Sequence, residues 1–376
     1  MIINIDTNLL HDAFRIISPM IKYTKNSKYG SLVQFTIMDK QLFLYVFDEI
    51  HTLEFLCGNI ESINISFSIN FDSIYKYIDS ISGIIQFNIQ SNTVILQSGT
   101  NTYTVDRIIT DCDFSEGIIN MKNLCKNSIL DIYKNELKTI YKFIELCFPD
   151  KDLYKEIWNA VYYDGNFVTT SDTVAAIYEY KVSNNSDICI ERNSFELLYK
   201  IISKITKDLG YQIHFYKINN KIIINILNLS IVLNEYPKKG FLGYKDNLLR
   251  KYEHTLYLNP VQLLKACIRL YSLTKINKNV KINIFEENLV IKTIVSEHSM
   301  QTGSEIIQID KNDIPMELSF IINLSILIKI LKNFKESQIV FNFSNDLSTM
   351  LISNGKYIGQ SSKKYVICID FENDGN

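Results

Sequence analysis

A short apolar strand, a polar punctuation residue and an amphipathic helix follow one another six times along this chain, in three pairs. That period restricts the fold more than any single side chain does. In the first third, Ile2-Ile3-Asn4-Ile5-Asp6 leads into Leu9, Leu10, Ala13 and Phe14, and Phe67-Ser68-Ile69-Asn70 leads into Ile74, Tyr77 and Ile78. In the middle third, Ile129-Leu130-Asp131 opens a helix carrying Tyr133, Leu137 and Ile140. Ile188-Cys189-Ile190 with Asn193 opens one carrying Phe195, Leu198 and Ile202. The last third repeats the pattern with Leu256-Tyr257-Leu258-Asn259-Pro260 and Phe320-Ile321-Ile322-Asn323. Asn or Asp before a helix satisfies the unpaired N–H groups of its first turn, and Pro at the first position has no N–H to leave unpaired.

The predicted helix starts, near residues 7, 72, 131, 194, 260 and 324, are separated by 65, 63 and 64 residues within pairs, and the first helices of successive pairs by 124 and 129. Hairpin turns are expected after the first helix of each pair at Asp39-Lys40, Asp164-Gly165 and Glu286-Glu287. After the second they fall at Ser91-Asn92, Asn219-Asn220 and Asn345-Asp346. A period this long implies tandem domains of one fold, not a solenoid of small repeats. The expected fold class is α+β, with three tandem domains at 1–120, 121–245 and 246–376, each two helices packed on antiparallel sheets. A chain of 376 residues exceeds what one core usually serves. Linkers are expected at Asp111 to Ser128 and Lys238 to Glu253.

Charge is sorted between elements. The whole chain carries only −2, yet the six helical windows sum to +11, so the rest carries −13. Lys134, Lys138 and Lys142 fall at i, i+4 and i+8; Lys200, Lys204 and Lys207 repeat the stripe, as do Lys265 with Arg269 and Lys329 with Lys332. Arg15, Lys22 and Lys76 lie on the helices of the first third. A basic stripe is ordinarily only the solvated side of a helix. Five positive windows out of six instead suggest one surface for a phosphate backbone, sequence-independent and salt-sensitive.

Seven cysteines lack any paired spacing, which points to free thiols in a reducing, cytoplasmic setting. No apolar stretch reaches membrane-spanning length and no basic-then-apolar leader opens the chain, so no membrane partner is expected. The five histidines sit in different units without metal-ligand or triad spacing, and phosphate-binding glycine loops are absent. No catalytic residue, metal or cofactor is expected.

Three tandem units of two helices and flanking hairpins resemble the bacterial-type sliding clamp, the beta subunit of the replicative DNA polymerase. The most specific local match is Ile157-Trp158-Asn159-Ala160-Val161-Tyr162-Tyr163-Asp164-Gly165-Asn166-Phe167-Val168-Thr169-Thr170-Ser171-Asp172-Thr173-Val174-Ala175-Ala176, similar to the family's second-domain hairpin ending in Ala-Thr-Asp-Gly-His-Arg-Leu-Ala. Tyr236-Pro237 resembles the Phe-Pro closing that domain, and Tyr365-Val366-Ile367-Cys368 resembles the C-terminal Tyr-Val-Val-Met. The resemblance implies a non-catalytic head-to-tail homodimer closing a six-domain ring around double-stranded DNA. It also implies that DNA polymerase and clamp-loader subunits are held through short linear peptides.

Carried onto matching positions, the peptide pocket would be lined by Ile157, Thr170, Asp172, Thr173, Val174, Ala175, Pro237, Leu242, Asn323, Ile326, Leu347, Thr349, Val366, Cys368, Ile369 and Asp370. The ring would close through Tyr103 of one subunit and Tyr271 and Leu273 of the other. Departures stand at Asp172-Thr173-Val174, where the family has Gly-His-Arg, and at Cys368-Ile369-Asp370-Phe371-Glu372, where it has Met-Pro-Met-Arg-Leu. Two other readings compete: a clamp-like accessory or decoy protein that binds replication partners without encircling DNA, and an enzyme using Cys368 with a histidine, against which the scattered spacing speaks.

Overall fold

The computed structural model describes residues 1–48, 50–110, 114–148, 159–171, 174–180, 187–206, 210–238, 241, 252–274, 278–294, 302–314, 317–345, 347–354 and 362–371. Each third of the chain runs strand, helix, three-stranded meander, and then repeats that order. The first third is β1 (Ile2–Asp6), α1 (Thr7–Thr24), β2 (Leu32–Met38), β3 (Gln41–Phe47), β4 (Thr52–Asn59), then β5 (Ile65–Asn70), α2 (Phe71–Asp79), β6 (Ile84–Ile89), β7 (Thr93–Ser98), β8 (Asn101–Ile108). After α3 (Phe114–Leu124) come β9 (Leu130–Tyr133), α4 (Lys134–Ile144), a 3-10 turn Glu145–Cys147, β10 (Ala160–Tyr163), β11 (Asn166–Thr170) and β12 (Val174–Glu179). The second half of the middle third is β13 (Ile188–Glu191), α5 (Arg192–Ser203), β14 (Gln212–Ile218), β15 (Lys221–Ile226) and β16 (Leu229–Asn234). The last third is β17 (Tyr252–Leu258), α6 (Pro260–Tyr271), β18 (Asn279–Ile284), β19 (Asn288–Thr293), β20 (Ser304–Gln308), β21 (Lys311–Asn312), then β22 (Leu318–Asn323), α7 (Leu324–Leu331), β23 (Ile339–Ser344), β24 (Thr349–Ser353), β25 (Lys363–Cys368) and β26 (Asp370–Phe371).

The chain forms two compact units, Met1–Tyr141 with Val182–Pro237, and Lys142–Lys181 with Lys238–Asn376. In the first, strands pair in the order β1-β6-β7-β8-β5-β2-β3-β4-β16-β15-β14-β9. In the second, one sheet runs β10-β11-β12-β25-β24-β23-β17-β21 and another β20-β19-β18-β22-β26. The middle third therefore contributes strands to both units. Its last meander continues the first unit's sheet through β16 on β4, and its first meander continues the second unit's sheet through β12 on β25.

Four helix starts carry the expected caps. The side chains of Asp6, Asn70, Asn259 and Asn323 accept from first-turn N–H groups, and Pro260 occupies the first position of α6. Three expectations are corrected. Asp131 lies in β9, three residues before α4, and its carboxylate holds His214 Nδ1 at 2.7 Å. Residue Glu191, not Asn193, precedes α5 and makes no side-chain cap. The stretch expected as a first linker contains α3, whose Ile118 packs with Tyr45, Ile223 and Val232.

Apolar residues at helical and alternating spacing meet in cores, as burial requires. In the first unit Phe14 of α1 lies 5.1 Å from Phe71 and 6.3 Å from Phe35, which stacks on Phe67 at 5.1 Å. In the second, fully buried Tyr365 lies 4.3 Å from Phe143, donates to the Phe143 carbonyl at 2.7 Å and accepts from Asn333 at 2.8 Å. Pro19 inside α1 cannot donate to the Arg15 carbonyl, and the Ser18 hydroxyl donates to it instead at 3.1 Å. The Asp39-Lys40 turn has both residues at positive φ (51° and 62°), the two-residue geometry whose twist matches its strands.

The caps give a paired prediction. Asn259→Ala and Asn323→Ala should each cost about 1 kcal/mol, read as a lowered denaturation midpoint. Asn193→Ala, which removes no cap, should stay within about 0.5 kcal/mol of the parent.

Candidate nucleic-acid and peptide interfaces

The helices bury apolar stripes and leave most of their cations outside, buried Arg192 at the start of α5 being an exception. On α4, Leu137, Ile140 and Ile144 are buried while Lys138 and Lys142 are exposed; on α7, Leu327, Ile330 and Leu331 are buried while Lys329 and Lys332 are exposed. Lys22, Lys76, Lys138, Lys142, Lys204, Lys265, Lys329 and Lys332 are all exposed, with no carboxylate within ion-pair reach among the described residues. Other cations of the stripe are engaged. Arg15 pairs with Asp12 at 2.8 Å, Lys200 with Glu196 at 2.6 Å, and Lys134 donates to the Ile205 carbonyl. Arg269 forks onto Glu305 at 2.7 and 2.6 Å, which holds the Glu305 carboxyl below its usual range. Lys207 lies outside the described residues.

Strand pairing places the candidate pocket residues. In the second unit Thr170 faces Ala175, Ala175 faces Val366, and Thr349 faces Cys368 across neighbouring strands. Residues opposite one another in a ladder point to the same side of a sheet, and alternate residues along a strand do too. Thr170, Ala175, Val366, Cys368 and Thr349 therefore share one face, to which Leu351, opposite Val366, must be added. Tyr365 and Ile367 point the other way into the core, with Val174, opposite Ile367. Cys368 is exposed; Val366, Ala175 and Thr349 are buried.

Further from this face, Asn323 caps α7, with half-buried Ile326 one turn on. Leu347 holds a left-handed turn (φ 55°), and buried Ile369 donates its N–H to the Ser348 carbonyl at 3.1 Å. Asp370 pairs with Ile321 in β26 on β22. Pro237 is exposed at the end of the first unit. Ile157, Asp172, Thr173 and Leu242 lie outside the described residues. Phe241 covers one part of the face by stacking on Tyr162 at 5.4 Å.

Tyr103 is 40 % exposed and stacks on Tyr77 at 5.1 Å. Among the described residues its strand, β8, pairs along 101–106 with β7 alone, and its bonds to β5 are at Arg107 and Ile108. Tyr271 is exposed and Leu273 half-buried at the end of α6. Nearby β20 is the last strand of its sheet, with Ile306 69 % exposed.

The sequence reading missed one constellation. Asp48, His51 and Ser194 come together in the first unit: His51 Nδ1 lies 3.1 Å from both Asp48 oxygens and Nε2 lies 2.8 Å from Ser194 Oγ. A carboxylate only accepts, so Nδ1 is the donor to Asp48, while Nε2 pairs with the serine hydroxyl. This order of groups is that of a hydrolase triad, but all three are buried, at 6 %, 0 % and 2 % exposure. It is a clasp, not a reactive site, tying the β3–β4 turn to the start of α5. Tyr23 of α1 joins it, its ring edge-on to His51 at 5.2 Å; burial, with Glu191 and Asp48 nearby, pushes its hydroxyl up to about 12. The Asp-Glu-Ile-His turn was the signal, since an Asp that accepts from N–H groups two and three residues on makes a local loop.

No protein-family model and no curated protein matches the sequence. Solved structures do match. The DNA polymerase III subunit beta from Pseudomonas aeruginosa superposes with a TM-score of 0.80 at 14% identity, covering 99% of this chain and 100% of that one. The beta subunit from Thermotoga maritima gives 0.74 at 12%, covering 99% of both chains, and a Helicobacter pylori beta clamp in complex with 5-chloroisatin gives 0.76 at 14%, covering 99% and 100%. The architecture is therefore that of the DNA polymerase III beta-subunit clamps over the whole chain. Its side chains are divergent from theirs at this identity.

The clasp predicts a pH dependence. Burial alone would raise the Asp48 carboxyl, but the hydrogen bond and electrostatic attraction of the His51 ring, with the His51 and Ile50 N–H groups, outweigh it and hold it below its ordinary 3.8. A depressed carboxyl contributes stability that is present above the unfolded-chain value and lost as pH falls through the folded one. The parent's denaturation midpoint should therefore fall more steeply below about pH 4 than that of Asp48→Asn. His51→Ala should cost about 3 kcal/mol at neutral pH, because the buried carboxylate loses its ring partner and keeps only the two backbone N–H donors of residues 50 and 51.

Proposed function

We propose that this protein is a DNA sliding clamp, a non-catalytic processivity factor that encircles duplex DNA as a head-to-tail homodimer and tethers a DNA polymerase and clamp-loader subunits through short peptides. One observation carries the reading. The third strand of a first meander pairs with the last strand of the following repeat at two places in the chain, β4 with β16 and β12 with β25. The corresponding third pair is β20 with a β8, and among the described residues β20 and the 101–106 stretch of β8 each have one side without a paired strand. A second copy of this chain would supply the missing half, and a contact of β20 on the partner's β8 is head-to-tail, the geometry that closes into a ring when the rotation permits. Tyr103 on one side, and Tyr271 and Leu273 on the other, flank that joint.

Such a ring would carry three repeats per copy, bounded as the sequence places them at 1–120, 121–245 and 246–376. Its helices would offer the exposed cations, from Lys22 to Lys332, to phosphates without reading bases. The peptide pocket would use the shared face of Thr170, Ala175, Thr349, Val366 and Cys368, with Ile326 and Leu347 beside it. The site is cytoplasmic in this reading. The structures it resembles are DNA polymerase III beta subunits and beta clamps, which supports the same class for this chain.

Light scattering across a dilution series tests the assembly: a mass near twice 43.7 kDa is expected. A monomer at every concentration would favour a clamp-like accessory protein that binds replication partners without encircling DNA. Loaded on DNA, the protein should be retained on a nicked circle and lost from linear molecules. Lys134→Glu, Lys138→Glu and Lys142→Glu together should cut retention by at least tenfold and flatten its salt dependence. Because Lys134 also holds the Ile205 carbonyl, the Lys138→Glu, Lys142→Glu pair provides the comparison with that contact intact.

A further inference from the structure

One helix of the first unit, α3, stands outside the repeat and crosses the joint between two repeats. It follows the first repeat in the chain and packs against β3 and β4. Its buried Ile118 meets Tyr45 of β3 on one side of the joint, and Ile223 of β15 and Val232 of β16 on the other. Met121 and Cys125, three and seven residues on, continue that contact along one helical face, while Asn120 and Asn123 are exposed.

Charge anchors the helix on the joint strand itself. Glu54 of β4 stands opposite Tyr45 on one side and Ser230 of β16 on the other, so the three share one face. Its carboxylate is only 2 % exposed; Oε2 accepts from the Tyr45 hydroxyl at 3.0 Å, and Oε1 pairs with the Lys122 ammonium of α3. A carboxylate buried to this degree is held at low cost only while its cation stays, so lifting α3 must either hydrate Glu54 or leave it uncompensated. Phe55, next along β4, turns to the opposite face and to α1, which packs there against α5. The ladder between these two covers is short, with β4 and β16 pairing at four positions, Thr52 to Phe55 with Val232 to Leu229.

We propose that α3 is a splint that locks the first joint, with the Glu54–Lys122 pair as its catch. Seated, it holds β3 and β4 of one repeat and β15 and β16 of the next as a single body, because Ile118 cannot keep both sides of its contact once β4 and β16 part. Released, it leaves the short ladder covered on the α1 face alone, and the two repeats can separate along β4 and β16. The lock operates within one chain, with or without a ring.

Amide hydrogen exchange on the intact chain tests the lock. Lys122→Met keeps an apolar stem and removes the charge; exchange in α3 should quicken at least about thirtyfold and in β4 and β16 at least about tenfold, while the β6–β7 hairpin keeps the parent's rates. Glu54→Leu combined with Lys122→Met replaces the ion pair by apolar groups, and should return α3, β4 and β16 to within about threefold of the parent. Asn120→Ala, at an exposed position, strengthens the helix and should slow exchange in β4 and β16 by about twofold to threefold. Lys122→Met exchange unchanged in α3, quickened in α3 but not in β4 and β16, or quickened equally in the β6–β7 hairpin would each overturn the proposal, as would β4 and β16 rates unmoved by Asn120→Ala.

Discussion

Main-chain hydrogen bonding between a strand of one repeat and a strand of the next is the interaction on which the other features rest. Each repeat ends its first meander on an unsatisfied edge, and an open edge of apolar strands is a liability in water. The chain removes that liability twice by its own continuation, at β4–β16 and β12–β25, and the sheets that result are what the helices pack against. Helix cations, the candidate pocket face and the buried clasp all take their positions from those two ladders.

The two joints are finished differently at matching ends. Beside the start of β12 and the end of β25, Thr170, Ala175, Val366 and Cys368 form a face with an exposed thiol at its margin. Beside the start of β4 and the end of β16, the corresponding space holds His51, Asp48 and Ser194, with Tyr23 across them. One end is sealed by polar groups that satisfy one another, at full burial. Equivalent positions in a triplicated chain have thus been given opposite surface properties by a handful of side chains.

Much of this was legible in the sequence because it depends on local rules. Period and punctuation made six helices and the hairpins readable, Asp346 of the last expected turn lying outside the described residues, since Asn caps, polar turns and alternating apolar residues act over a few positions. Asp131 misled, because a carboxylate before an apolar helical stripe is also what a strand residue needs when a histidine, His214, comes to lie beside it from 83 residues away. The third strand of each meander and α3 were not separable from loop by pattern alone. The clasp joins residues separated by 143 positions, and no spacing rule reports such a contact. For the candidate pocket, the motif Tyr365-Val366-Ile367-Cys368 was readable, but which of its members turn toward the core required the register.

Ladders of peptide groups place few demands on what the side chains are. A joint written in N–H and C=O groups asks of each residue only that it accept extended backbone and sit on the correct side, apolar inward or tolerant outward. The identities of 12% and 14% that accompany near-complete superposition are what such a constraint permits. A lineage can rewrite almost every side chain, including those that meet partners, while the hydrogen-bonded frame stays in register; change in what the protein recognises is thereby uncoupled from change in its architecture.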